Sequence, residues 1–251
     1  MELYITGAGV SSDSGIPTFR GSDGFWTIGS KNYTPQEMAT RTMYKNNPGQ
    51  FLLWYYKRFI KYRNAKPNKV HKYLIDKYLI TQNIDGLDFK AGNKNYIAIH
   101  GNLHKITQYH DQNDIVEVQD APWDHIEKEC PDINDNTKLK SILLDAFKIS
   151  KITLKPEKMN SLKPFVLLFD EFYTDNYKIN KAYNWMNSAT KFIFLGTSFS
   201  VNITAMALEK AINNNAKVEI VDPKPINLNK ENVIYHKMTA LEFIMSKKIN
   251  S

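Results

Sequence analysis

The chain has 251 residues, 42% hydrophobic and 12% aromatic, with a net charge of +7, enough for one large domain or a domain with a sizeable insert. Its single cysteine, Cys130, excludes an internal disulfide and points to a reducing, cytoplasmic compartment. No apolar run approaches the roughly eighteen residues of a membrane span, no basic-then-apolar leader precedes the first strand, and the lysines are dispersed, so the positive charge reads as solvated faces rather than a nucleic-acid patch.

Glu2-Leu-Tyr-Ile-Thr6 reads as a buried first strand running into GAGVSSDSGIPTFRG, residues 7–21. A glycine-containing loop between a strand and a helix start brings backbone N–H groups close to a phosphate, whereas a purely structural turn is the alternative for Gly7 and Gly9. The usual dinucleotide fingerprint carries a third glycine where this chain has Ser12. Residues 31–65 read as aromatic-rich helices, with FLLWYYKRFIKY among them. A helical pattern follows over 67–77, then apolar strands at Tyr78–Thr81 and Tyr96–Ile99. Residues 102–162 are polar and charged, too long for a loop in a compact domain. Further strands are expected at Phe165–Phe169, Phe192–Leu195 and Val218–Val221, with helices at 175–186 and 203–213.

Strand–helix alternation with near-continuous apolar strands predicts an α/β fold, a Rossmann-like parallel sheet with helices on both faces. The expected organisation is a nucleotide-binding domain from residues 1–30, 66–101 and 163–251. A smaller domain comes from the two excursions, 31–65 and 102–162. His100 closes an apolar run, which puts it at the carboxyl end of a strand, where open α/β sheets bind ligands. A histidine poised near neutral pH suits general-base work there, a structural histidine being the alternative.

Taken together, GAGVSSDSGIPTFRG, TQNIDGL at 81–87, HGNLH at 100–104, KPFVLLFDE at 163–171, GTS at 196–198 and VDP at 221–223 resemble, in order, the sirtuins, the NAD-dependent protein deacylases. The resemblance covers nearly the whole chain apart from 102–162. It implies NAD as co-substrate and acyl-lysine proteins or peptides as partners, with no membrane or nucleic-acid partner, and a monomer. It implies that Gly7, Ala8, Gly9 and Ser11 line the NAD phosphates and ribose, with Phe19 and Arg20 in a cofactor loop, Phe19 shielding the reacting ribose carbon. Gln82, Asn83, Ile84 and Asp85 would serve the nicotinamide end, and Gly196, Thr197 and Ser198 a second phosphate- and ribose-binding turn. Asp222 would approach the adenosine ribose, and Thr239 would also contact the cofactor. His100 and Asn83 would be catalytic. In the implied reaction the acyl oxygen attacks the ribose carbon, nicotinamide leaves, and His100 deprotonates a ribose hydroxyl. The products are free lysine and O-acyl-ADP-ribose. A mobile aromatic-bearing loop would exclude water.

Tyr55 and Arg58 share a helix face at i, i+3. Their place before KPNKVH resembles that of the Tyr-x-x-Arg pair of sirtuins favouring succinyl, malonyl or glutaryl groups, where Arg binds the distal carboxylate and Tyr adds a donor. A packed Tyr with an Arg snorkelling to water is the alternative, and a shift of one residue would substitute Tyr56. Most sirtuins hold structural zinc with four cysteines, which Cys130 alone excludes within one chain. His104, His110, His125 and Cys130 have no common zinc spacing, so zinc is not expected. The region 102–162 is instead expected to fold around Trp123, Ile142, Leu143, Leu144 and Phe147. The acylated peptide is expected to add as a strand, with 168–173 supplying one edge. Asp170 stands where the family typically has glycine. The rival readings are ADP-ribosyl transfer, against which His100 argues, NAD hydrolysis, whose sirtuin-like domains are normally fused to further modules for which this chain has no room, and a non-enzymatic NAD-sensing or nucleic-acid-binding module, against which His100 and Asn83 argue.

Overall fold

The computed structural model describes residues 1–18, 33–230 and 232–249. Numbered along the chain, its elements are β1 (Glu2–Thr6), α1 (Pro35–Met38), α2 (Arg41–Asn46), α3 (Pro48–Tyr62), α4 (Lys69–Tyr73), β2 (Tyr78–Thr81), α5 (Leu87–Lys90), β3 (Ile97–Ala98), β4 (Gly101–Gln108), β5 (Val118–Asp120), α6 (Trp123–Glu129), α7 (Asn136–Ala146), β6 (Leu162–Val166), α8 (Ile179–Ser188), β7 (Lys191–Leu195), α9 (Asn202–Asn213), β8 (Lys217–Val221), β9 (Val233–His236) and α10 (Ala240–Ile249). Among the described residues no helix is long and apolar enough to cross a membrane. The chain divides into two compact units.

The first unit takes residues 1–18, 65–99 and 178–249 and holds a six-stranded sheet in the order β3-β2-β1-β7-β8-β9. Every strand pair is parallel, with Glu2 against Lys191 and Leu3 against Tyr78. Successive residues of β1 point to opposite faces, yet Leu3, Tyr4 and Ile5 are all buried, so both faces are covered. On one face Tyr4, Leu79, Ile193 and Val221 pack with Val10, Val70, Leu74 and Phe243 in a continuous core. The strand order reverses direction between β1 and β7, which makes their carboxyl ends a topological switch point.

The second unit takes the described residues 33–64 and His100–Tyr177. Here β5-β4-β6 form an antiparallel sheet. Helix α3 begins with Asn47, whose side chain accepts the Gln50 N–H, and with Pro48 at its first position. Its residues Phe51 to Tyr56 are buried, as are Arg58 and Phe59.

Several sequence expectations change here. The strand expected at Phe165–Phe169 forms at Leu162–Val166 and pairs antiparallel with β4, so residues 163–177 belong with the second unit, not the nucleotide-binding domain. A continuous apolar run marks a buried strand but does not name its sheet. Its partner β4, polar in sequence, mixes buried and half-exposed residues. The helix expected over 67–77 spans only Lys69–Tyr73, because Asp76 adopts a left-handed φ of 61°. The edge strand β9, Val233–His236, was not among the expected strands, and it is only partly buried.

Candidate active site

Four parallel strands of the first unit end at the same edge, and the predicted cofactor residues follow them: Gly7 after β1, Gln82 after β2, Gly196 after β7 and Asp222 after β8. The first and third of these loops touch backbone to backbone. Gly7 N–H donates to Leu195 O at 3.1 Å, and Gly9 N–H to Gly196 O at 2.9 Å. A Cβ on Gly9 would lie 2.6 Å from Gly196 Cα, and one on Gly7 2.8 Å from Gly196 O. The glycines are therefore required by the contact between two turns. Ala8–Ser14 form a 3₁₀ turn, and Ser12, at the third-glycine position, donates back to Gly9 O at 2.8 Å.

Ser11 is the centre of a buried polar network. Its Oγ donates to Asp85 Oδ2 at 2.7 Å and accepts from Asn83 Nδ2 at 3.1 Å. Asn83 also donates to Gly7 O at 3.0 Å, so both of its N–H donors are committed. Asp85 accepts the Leu87 N–H at 2.9 Å, which turns the chain into α5. Gln82 Nε2 reaches Thr197 Oγ1 at 3.1 Å, and Ile84 is half-buried. Ser198 Oγ lies 2.7 Å from Ser200 Oγ, and Asp222 accepts the Lys224 N–H at 2.8 Å. Thr239 closes a capping box with Glu242 at the start of α10, which uses its hydroxyl for the helix. Phe19 and Arg20 lie outside the described residues.

Three further residues join this edge that the sequence reading passed over. Asn68 caps α4 and donates to Val10 O at 2.8 Å and Ser14 Oγ at 3.0 Å. His71 lies with Nε2 3.5 Å from Ser11 Oγ, and burial pushes its pKa down, which keeps it neutral. Both sit in KPNKVH, where an Asn three residues before a His signals a capped helix start. Asp88 is buried one turn beyond Asp85; burial first, and then the Asp85 charge, push its pKa up to about 7 against a hydrogen bond from Thr81. The donor set at this edge, with backbone N–H groups, hydroxyls and carboxylates, suits the phosphates, ribose hydroxyls and amide of a dinucleotide. Among the described residues no three metal-ligating side chains cluster.

In the second unit, His100 is followed by an obligatory glycine: Gly101 has φ +84°, and a Cβ there would lie 2.0 Å from Phe165 O. His100 O accepts the Leu167 N–H at 2.9 Å, and His100 Nε2 meets the Tyr173 hydroxyl at 3.0 Å. The segment 168–173 is anchored by Glu171, which accepts from Arg41 Nη1 at 3.0 Å, from the buried Lys163 at 3.4 Å and from Leu168 N–H at 3.0 Å. Asp170 accepts the Arg41 and Thr42 N–H groups at 2.5 and 3.0 Å, an added cap for α2.

Tyr55 and Arg58 are both buried on α3. The guanidinium lies 3.3 Å over the Trp54 ring and donates to Trp54 O at 2.9 Å. Burial pushes the Arg58 pKa down to about 9, opposed by Tyr55 and Tyr62. Tyr56 faces elsewhere, 5.8 Å from the Trp123 ring. Arg58 therefore does not snorkel to water, and of Tyr55 and Tyr56 it is Tyr55 that feels its charge. Of the side chains weighed as zinc ligands, His104 packs on Phe59 at 5.2 Å, His110 Nδ1 meets Gln108 O at 2.6 Å, and buried Cys130 donates to Asp132 O at 3.4 Å. Trp123, Leu143 and Phe147 of the expected module core are buried, joined by Ile126 and Leu139, whereas Ile142 and Leu144 are only half-buried.

A family model described as "Sir2 family" matches residues 7–203. An "NAD-dependent protein deacylase 1" of Caldanaerobacter subterraneus subsp. tengcongensis is 34% identical, over 98% of this chain and 91% of its own length. An "NAD-dependent protein deacylase" of Aquifex aeolicus is 32% identical over 91% of this chain and 85% of its own. The solved structure of a Sir2 homologue mutant with ADP-ribose superposes with a TM-score of 0.73 at 27% identity, covering 99% of this chain and 90% of that one.

Proposed function

The chain belongs to the Sir2 family, and from that membership we propose that it is an NAD-dependent protein lysine deacylase. The observation that carries the reading is the Ser11–Asp85–Asn83 network at the switch point. It sets a carboxylate, an amide and a 3₁₀ turn at one sheet edge, each held by the others. Bound NAD supplies an activated ribose carbon with nicotinamide as leaving group.

The turn at Gly7, Ala8, Gly9 and Ser11, with Gly196, Thr197 and Ser198, holds the phosphates and ribose. Phe19 and Arg20 belong to the loop that shields them. Gln82, Asn83, Ile84 and Asp85 orient the nicotinamide end, and Asp222 and Thr239 the adenosine end. His100 accepts a hydroxyl proton on its imidazole ring. Acyl-lysine proteins are the substrates, and the lone reduced Cys130 suits a cytoplasmic enzyme.

We further propose an acidic-acyl preference. Tyr55 and Arg58 lie together on α3, and a carboxylate brought to the guanidinium gains a charge-assisted, bidentate partner.

The test is product analysis by mass spectrometry with NAD and matched acetyl-, succinyl- and glutaryl-lysine peptides, alongside His100→Ala. O-acyl-ADP-ribose is expected, lost in the variant, with succinyl or glutaryl turnover above acetyl. Acetyl turnover alone removes the Tyr55/Arg58 assignment. Free ADP-ribose or ADP-ribosylated protein without deacylation overturns the deacylase reading.

A further inference from the structure

The loop from Lys148 to Ser161, between α7 and β6, holds large apolar side chains in water. Ile152 is 95% exposed, Leu154 61% and Met159 52%. A lone exposed isoleucine needs no explanation, but here the backbone keeps the side chain out. Leu154 N–H donates to Ser150 O at 2.9 Å and Ser150 N–H to Lys155 O at 3.3 Å, which closes a turn with Ile152 at its tip. The Ser161 hydroxyl donates to Lys148 O at 2.7 Å and accepts the Glu157 N–H at 2.9 Å, which ties the two limbs of the loop together. Lys148, Leu154 and Met159 take left-handed φ values of 53°, 52° and 58°, although none is glycine. Each such residue costs free energy, and residues of this kind gather at binding sites. Leu154 also borders a groove of about 220 Å³ with Leu144 and Ile149, so it is not shut against α7.

The same stretch is basic. Lys148, Lys151, Lys155 and Lys158 are all exposed, and the one acid among them is Glu157. Lys151 pairs with Asp145 at 3.0 Å and Lys158 with Asp111 at 2.7 Å, whereas Lys148 and Lys155 make no ion pair among the described residues. We propose that this loop docks on an anionic lipid surface, with Ile152 and Leu154 entering the headgroup boundary and the lysines meeting the lipid phosphates and carboxylates.

The combination selects the partner. A nucleic-acid backbone would meet the lysines but offer Ile152 no apolar medium, and a neutral apolar surface would leave the lysines without counter-charge. The boundary of an anionic leaflet supplies both, because the long lysine stems keep their charges at the headgroups while the shorter aliphatic side chains go deeper. The contact is reversible, since two aliphatic side chains and a few lysines hold far less strongly than a spanning helix. The loop lies within 102–162, the stretch that the sirtuin motifs leave uncovered, so the absence of a membrane partner implied by that resemblance does not bear on it. The proposal is independent of the deacylase reading.

The experiment sediments the full chain with vesicles of phosphatidylcholine, alone or with about one-third phosphatidylserine, at low and at high salt. Binding is expected only where phosphatidylserine is present, and it is lost at high salt. Ile152→Ser should weaken it roughly tenfold, and Lys148→Gln and Lys155→Gln about fivefold each. Ile115 serves as the control: it is 92% exposed but stands in the chain between Asp114 and Glu117, so Ile115→Ser should leave binding unchanged. In an Ile152→Cys chain labelled with an environment-sensitive dye, Cys130 being buried, the emission should shift to the blue on the anionic vesicles. No binding at low salt, an unchanged affinity in Ile152→Ser, an equal loss in Ile115→Ser or an unshifted dye overturns the proposal. A dye shift of the same size with polyglutamate assigns the loop to an acidic protein surface and overturns it as well. Because Ile152 is almost wholly exposed, Ile152→Ser is expected to keep the wild-type Tm, so its loss of binding reports the contact and not the fold.

Discussion

The carboxyl edge of the parallel sheet and the module from Gly101 to Val166 both hold irregular segments in place, by opposite means. At the sheet edge the fixing is polar and local: Ser11, Asn83 and Asp85 hydrogen-bond one another, and two turns meet through glycine backbones. In the module the fixing is apolar. The Trp123 ring sits 5.5 Å from Phe59, 5.8 Å from Tyr56 and 5.3 Å from Phe147, with its N–H donating to Leu103 O at 2.7 Å. The first arrangement depends on particular atoms and leaves a motif in the sequence. The second depends on volume, which many sequences can fill.

The sharpest way to break this contrast is a methyl group where the module depends on backbone contact after all. Gly101→Ala combines a left-handed φ with a 2.0 Å clash against a carbonyl, and it is expected to cost about 5 kcal/mol or to prevent folding, read by denaturant unfolding. Trp123→Ala should cost about 3–5 kcal/mol. A metal chelator added to the wild type should leave its Tm unchanged; a chelator-induced drop would mean a metal, not an indole, organises the module.

The polar edge is tested through charge. Asp88 has a folded pKa of about 7 against an ordinary 3.8, so between those values the folded chain keeps a proton that the unfolded chain sheds. Its contribution is therefore a stability that falls as pH rises from about 4 to 7 and is level above that. Asp88→Asn should stabilise the protein at neutral pH by roughly 2–4 kcal/mol, and the gain should vanish near pH 4. A gain independent of pH would assign the effect to packing.

Smaller effects sharpen the distinction. Ser11→Ala leaves Asp85 and Asn83 without a shared partner and should cost about 1–2 kcal/mol of stability while raising KM for NAD at least tenfold. Asp170→Ala removes acceptors for two N–H groups at the start of α2 and should cost about 1 kcal/mol.

The same contrast governs what could be read from the sequence. Strands β1, β2, β7 and β8 were legible because each is a near-continuous buried run, and β2 lies at the expected Tyr78–Thr81. The loop motifs were legible because only glycine, serine, asparagine and aspartate suit those contacts. Asn68 and His71 escaped because their partners, Val10, Ser11 and Ser14, lie more than fifty residues earlier in the chain. The Tyr173 contact to His100 escaped for the same reason, as did the partnership of β4 with β6. Asp170, noted in the sequence only as standing where the family typically has glycine, accepts two N–H groups at the start of α2.

The strand order has a consequence for how the polypeptide is made. Strand β1 is synthesised first, yet one of its two neighbours is β7, so Glu2 waits for Lys191 before the sheet can close around it. Helix α3 likewise leaves the ribosome well before α7, the helix on which it packs. A growing chain therefore exposes an apolar strand edge, and for part of that time an aromatic helix, the situation in which chaperones are engaged and aggregation competes with folding. Slowing elongation near the β6–α8 junction would prolong that exposure, whereas supplying the C-terminal segment as a separate chain would let β7 reach its partner at once.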